Sequence, residues 1–146
     1  MAGELILVVE DNEKNMKLAR DVLTAKGYRV TEAVTGEEGV KLAQEQVPQL
    51  ILMDYQLPGI DGIEAFRRIR GDAATAHIPI VAVTASAMPE EEAKMKQAGF
   101  DGFLTKPINL KEFVGAVAST LAKAGSVKTG DTKAGDAKTD STTGGA

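Results

Sequence analysis

Five short apolar runs alternate with segments whose apolar residues recur at helical spacing, and this alternation leaves few folds open to the chain. The runs are ELILVVE (4–10), YRVTEA (28–33), LILMD (50–54), IPIVAVTA (78–85) and DGFLTK (101–106). In the first intervening segment, Met16, Ala19, Val22 and Leu23 mark one apolar stripe, as on an amphipathic helix. Repeated strand-helix alternation predicts a parallel sheet covered by helices on both faces, because each crossover is right-handed and must pack back onto the sheet. The first, third and fourth runs are almost wholly apolar, as strands buried on both faces are, whereas the second mixes in polar residues and suits an edge.

Local signals bound the helices. Thr35 with Glu38, Asp61 with Glu64 and Asn109 with Glu112 have the spacing of capping boxes. Pro89 followed by Glu90, Glu91 and Glu92 suits a first helical turn, and Gly27 and Gly99 stand where the first and fourth helices should stop. From about Gly125 the composition turns to Gly, Thr, Lys, Asp, Ala and Ser, with too little apolar area to offset the entropy of ordering. The expected organisation is therefore a folded domain over residues 1–124 and a disordered, low-complexity C-terminal tail over 125–146.

Several function classes drop out on composition. A net charge of -4 with no basic patch argues against direct binding to nucleic acid. With no cysteine there is no disulfide framework, thiolate zinc site or thiol nucleophile. The amino terminus, MAGELILVVE, has no basic leader, and its apolar stretch is too short for a signal peptide or a membrane span. These features predict a cytoplasmic protein with no membrane association.

In an open parallel sheet, ligands bind beyond the carboxyl ends of the strands, where strand order reverses. The residues that end the runs are Glu10 and Asp11, then Asp54, then Thr84, with Lys106–Pro107 following the fifth. In the order 2-1-3-4-5, the first and third strands are neighbours and three carboxylates crowd into one crevice. Like charges at that distance raise one another's pKa or demand a cation. An all-oxygen set without His or Cys favours a hard ion such as Mg²⁺. A metal, a lysine and a carboxylate nucleophile together suit phosphoryl transfer. Singly the residues carry little: a strand-end Asp is commonly a loop cap, and a Lys before Pro is commonly solvated. Their joint placement at four strand ends is the signal.

At this point the chain resembles the receiver domains of two-component response regulators, the family of chemotaxis-regulator-like proteins. The resemblance rests on VVEDN, LILMDYQLPGIDG, VAVTASAM and FLTKPI in this order, and it spans roughly residues 4 to 124. It implies a flavodoxin-like, doubly wound five-stranded parallel sheet of order 2-1-3-4-5 with five helices. It implies that Asp54 accepts a phosphoryl group from a phosphohistidine on a sensor histidine kinase or histidine phosphotransfer protein. Asp11, Asp54 and the backbone carbonyl of Gln56 would ligate Mg²⁺, with Glu10 acting through water. Lys106 would pair with the phosphoryl oxygens and Thr84 would bond one of them. Phe103 falls at the aromatic switch position coupled to Thr84, and the Lys106–Pro107 peptide would be cis. Asn15, Leu18 and Ile108 fall on the family's donor-docking surface. Met88, Lys94, Phe103 and Lys111 fall on its output face, which serves a downstream protein target.

The chain departs from the commonest pattern twice. Glu10 stands where Asp is frequent, and Phe103 stands where Tyr is frequent, which removes a phenolic hydroxyl. Ala85 is small and leaves Asp54 open to donors and water. The expectation is a single-domain phosphorylation switch that assists its own phosphorylation and dephosphorylation but is not a turnover enzyme. Three rivals fare worse. A haloacid-dehalogenase-type phosphatase needs a second acid where Gln56 stands, and a flavin site needs a phosphate-cradling loop where the acidic EDNEKN stands. A constitutive module with a dead site would not keep the acids, Thr84 and Lys106 together. His77, the one histidine, precedes the fourth run at the far end and reads as a surface loop residue.

Overall fold

The computed structural model describes residues 3–57, 59–60, 62–85 and 88–131. Five strands, β1 (Leu5–Val9), β2 (Arg29–Ala33), β3 (Leu50–Asp54), β4 (Ile80–Thr84) and β5 (Gly102–Thr105), alternate with five helices. The helices are α1 (Glu13–Ala25), α2 (Gly36–Gln46), α3 (Gly62–Gly71), α4 (Pro89–Ala98) and α5 (Leu110–Asp131). The strands form one parallel sheet in the order β2-β1-β3-β4-β5, the doubly wound flavodoxin-like arrangement, with the mixed-polarity β2 at an edge. β3 coincides with its apolar run, and the other four strands are shorter than theirs. The Ile78–Pro79 start of the fourth run, for example, lies outside β4, and Pro79 supplies a carbonyl to Ile51 N at 3.0 Å.

The period-2 alternation of side chains divides the central strands between two apolar layers. Leu7, Val9, Ile51, Met53, Ile80 and Ala82 face α2, α3 and α4, where Val40, Ala43, Phe66, Ile69 and Met95 cover them. Ile6, Val8, Leu50, Leu52 and Val81 face the other way, onto Met16 and Leu23 of α1 and Phe113 and Val117 of α5. Every residue of β3 and β4 is buried, including the terminal Asp54 and Thr84. Full burial of one such aliphatic side chain is worth about 1.5–3 kcal/mol, so the two layers fix where the strand ends lie.

Helix ends follow the cap chemistry. Thr35 accepts from Glu38 N at 3.1 Å, while Glu38 Oε1 reaches back past the cap to accept from Val34 N at 2.9 Å. Asn109 accepts from Glu112 N at 3.1 Å. Asn12, which the sequence reading did not single out, caps α1 by accepting from Asn15 N at 3.0 Å. Pro89 opens α4, and Gly99 closes it in the left-handed region at φ 104°. Asp61, expected to cap α3, lies outside the described residues. The backbone of α5 continues past the expected boundary at 124 to Asp131, and residues 132–146 lie outside the described part.

Candidate functional site

The register sets the site. Val9 pairs with Met53 and Asp54 with Val83, so the residue after β1 and the last residue of β3 emerge side by side. Glu10 is held there by Glu10 N bonding to Ala33 O at 2.9 Å, and Tyr55 N bonds to Val83 O at 2.8 Å. On the far side, Lys106 N donates to Thr84 O at 2.7 Å, which brings the lysine back over the sheet end. The Lys106–Pro107 peptide that follows is cis.

One ammonium and three carboxylates meet at these ends. Lys106 Nζ lies 2.9 Å from Asp54 Oδ2 and 3.1 Å from Glu10 Oε1. Carboxylate oxygens of Glu10, Asp11 and Asp54 all lie within 4.8 Å of one another, and this group can hold a metal ion. Glu10 and Asp54 are each only 4% exposed, while Asp11 is exposed and leaves the cluster open to solvent on one side. Backbone amides take up further lone pairs: Asn12 N donates to Glu10 Oε2 at 3.0 Å, and Gln56 N donates to Asp54 Oδ1 at 3.1 Å.

The electrostatics show the imbalance. Burial pushes the Glu10 carboxyl above its ordinary range, and repulsion from Asp54 adds to the push. The Asn12 amide and Lys106 offset only part of it. Lys106 is pushed down by its own burial, but hydrogen bonds and attraction to Asp54 and Glu10 outweigh this and raise its pKa. The ammonium is therefore fixed in its charged form. The donors are all oxygen, the charge is acidic and one side is open, a combination that suits a hard, hydrated divalent ion.

The other residues named from sequence fall around this centre. Thr84 ends β4 wholly buried, with Ala85 exposed beyond it. Phe103, on β5 two strands from Asp54, is half-buried against the apolar layer, with Lys96 Nζ 6.0 Å from its ring centroid. Met88, Lys94 and Lys111 are exposed, and Asn15, Leu18 and Ile108 are half-buried beside α1. His77 is exposed in the segment before β4, at the opposite end of the sheet.

Sequence reasoning does not reveal three close approaches made by glycines. A methyl at Gly62 would stand 2.8 Å from Tyr55 Cα, one at Gly36 2.8 Å from the Ile60 carbonyl oxygen, and one at Gly39 2.8 Å from Val9 Cγ2. The only available signal was their position at or near helix starts, which does not distinguish close approach from a turn.

Residues 6–118 match the family model of the response regulator receiver domain. The chain is 42% identical over 119 residues to the polar-differentiation response regulator DivK of Brucella ovis, covering 82% of this chain and 97% of that protein. It is also similar to the crystallised receiver domain of the sensor histidine kinase PA1611 from Pseudomonas aeruginosa, which has a magnesium ion coordinated in its active site cleft. That likeness has a TM-score of 0.77 and 36% identity, over 83% of this chain and 99% of that one. A CheY-like receiver domain protein from Methanospirillum hungatei shares the fold at a TM-score of 0.79 and 24% identity, over 86% of this chain and 98% of that one.

Proposed function

We propose a function from the premise that the chain belongs to the response regulator receiver domain family: it is a phosphorylation switch whose phosphoacceptor is Asp54. The observation that carries the reading is the shared ammonium. Lys106 spans Asp54 and Glu10 at 2.9 and 3.1 Å, beside a third carboxylate, so the site holds more negative charge than the chain itself neutralises. Such an excess of negative charge suits one more cation, which together with Lys106 would neutralise the equatorial oxygens of a phosphoryl group.

In this reading Asp11, Asp54 and the Gln56 carbonyl would hold Mg²⁺, with Glu10 acting through water. When bound, the ion would neutralise charge on the transferring phosphoryl group. One oxygen of Asp54 attacks phosphorus, the phosphorus–nitrogen bond of a donor phosphohistidine breaks, and the imidazole leaves with its electron pair. Lys106, already aimed at Asp54, stays charged and pairs with a phosphoryl oxygen. Thr84, at the end of the adjacent strand, bonds a second oxygen, and Phe103 follows it, biasing the face that includes Met88, Lys94 and Lys111. The donor is a sensor histidine kinase or a histidine phosphotransfer protein, the output passes to a protein target, and the work is done in the cytoplasm. The chain promotes its own phosphorylation and dephosphorylation and is not a turnover enzyme.

The test is intact-mass spectrometry after incubation with acetyl phosphate, with and without Mg²⁺. The expected result is a single Mg²⁺-dependent phosphoryl adduct, lost in Asp54→Asn. An adduct that persists in Asp54→Asn would place the acceptor elsewhere. A wild-type chain that gains no adduct and binds no beryllofluoride would remove the switch reading altogether.

A further inference from the structure

We propose that Gly62 is a positioning residue for the acid site, seated on the backbone that carries Asp54, and that Gly36 supports it from α2. The inference rests on the reading above, in which Asp54 and the Gln56 carbonyl face Mg²⁺.

Gly62 is buried at the start of α3, and its N–H donates to the carbonyl of Tyr55 at 3.0 Å. A methyl group there would stand 2.8 Å from Tyr55 Cα and 2.9 Å from the carbonyl oxygens of both Asp54 and Tyr55. All three are main-chain atoms, so no side-chain rotation relieves the contact. β3 has little freedom to retreat, since it is paired with β1 on one side and β4 on the other, and Tyr55 N is tied to Val83 O. The displacement therefore falls on the chain just after Asp54. That is where Gln56 N holds Asp54 Oδ1 at 3.1 Å, and where the proposed carbonyl ligand sits.

Gly36 acts one step further out. A methyl there would stand 2.7 Å from Ile60 Cγ1 and 2.8 Å from Ile60 O, so the first turn of α2 is pressed against the same connection between β3 and α3. Two other glycines calibrate the argument. At Gly39 the nearest atom, at 2.8 Å, is Val9 Cγ2, a side-chain atom with some freedom to move. At Gly115 on α5, an added methyl meets nothing within 4 Å. Close approach to the main chain at the acceptor distinguishes Gly62 from both.

The experiment is a calorimetric titration with MgCl₂ of wild type, Gly62→Ala, Gly39→Ala and Gly115→Ala, run well below each variant's unfolding temperature. Groups that orient metal ligands typically cost 10–100-fold in affinity when changed, so Gly62→Ala should weaken Mg²⁺ binding by about 10-fold or more. Gly39→Ala should lower the unfolding temperature yet keep its affinity within about 2-fold, because a destabilised but folded chain is still fully competent to bind. Gly115→Ala should match wild type in Mg²⁺ affinity, and its unfolding temperature should be no lower, since Ala is the better helix former. Wild-type affinity in Gly62→Ala, whatever its unfolding temperature, would overturn the assignment. If Gly62→Ala does not fold, Gly36→Ala takes its place with the same two outcomes. A wild-type chain that binds no Mg²⁺ would overturn the metal reading itself, and this inference with it.

Discussion

At the amino end of β4, Asp101 Oδ2 accepts from Arg70 Nη2 at 2.8 Å and from Ile80 N at 2.8 Å, while Arg70 Nη1 donates to the carbonyl of Ile78. The Arg70 guanidinium also lies 4.8 Å from the centroid of the Phe66 ring. At the carboxyl end, Lys106 is the one cation among the described residues that pairs with Glu10 and Asp54, with Asp11 close by. The first arrangement is one cation matched to one carboxylate, and it joins α3, β4 and the start of β5 as a clasp. In the second, three carboxylates meet one cation, and two of the three are buried. Similar side-chain chemistry thus serves a structural purpose at one end and leaves a demand for a further cation at the other. Unbalanced burial, rather than the presence of charge, distinguishes the candidate site from the structural clasp.

Removing the cation at the unbalanced end should have the largest effect. Lys106→Met leaves Glu10 and Asp54 buried without a counter-charge, and breaking such a pair costs about 3–5 kcal/mol. Urea unfolding in EDTA should show this loss, and added Mg²⁺ should restore part of it. The pH dependence has a definite sign. Glu10 has its folded pKa raised above its ordinary 4.5, so its protonation favours the folded state. Its contribution is greatest below about 4.5 and declines as pH rises through the folded value. Without the lysine, Glu10 faces Asp54 and Asp11 alone, so the deficit of Lys106→Met should shrink as pH falls through that window. In wild type, the Lys106 contribution is complete below its ordinary 10.5 and is lost as pH rises through its higher folded value. A deficit that is small, or that ignores both Mg²⁺ and pH, would mean the two ends do not differ as argued.

A smaller effect is expected from the balanced end. Arg70→Met removes the bonds to Asp101 and Ile78, and with Arg70 and Asp101 partly solvated the loss should be about 1–2 kcal/mol. Mg²⁺ affinity should not change, and calorimetry on the folded variant measures both quantities independently. If affinity falls as well, the clasp reaches the acid site and the separation of the two ends fails.

Much of this contrast was legible in the sequence at one end and not at the other. Glu10, Asp11, Asp54, Thr84 and Lys106 could be found because each ends or follows a strand, and a parallel sheet brings all such positions together. Strand number, strand order and the caps at Thr35 and Asn109 follow from periodicity, family wording and local hydrogen bonding. The Arg70–Asp101 clasp joins residues 31 positions apart with no period linking them, so Asp101 read only as the first letter of an apolar run. The glycine contacts were hidden for a related reason. Whether Gly62 is a turn residue or a surface of close approach depends on what packs over it, and one chain's letters do not record that.

Val47 was equally hidden, and it gives the mildest test. It caps α2 in the left-handed region at φ 44°, ψ 67°, where a β-branched residue is a genuine outlier, and Pro48 follows it directly. That conformation costs an ordinary L-residue about 1–2 kcal/mol, and Asn adopts it with less strain. Val47 is 40% exposed, so little packing would be lost on replacement, and the bond from its N–H to Ala43 O at 2.9 Å is unaffected by the side chain. Val47→Asn should therefore raise stability by about 1 kcal/mol in urea unfolding. The residue sits at the amino end of the sheet, close to the start of β3 and away from Asp54, so the gain should come with unchanged Mg²⁺ affinity and unchanged phosphoryl uptake from acetyl phosphate. A gain in stability accompanied by a loss at the acid site would tie the two ends together through β3. A gain without one leaves strain at the amino end as something the fold tolerates and the chemistry does not use.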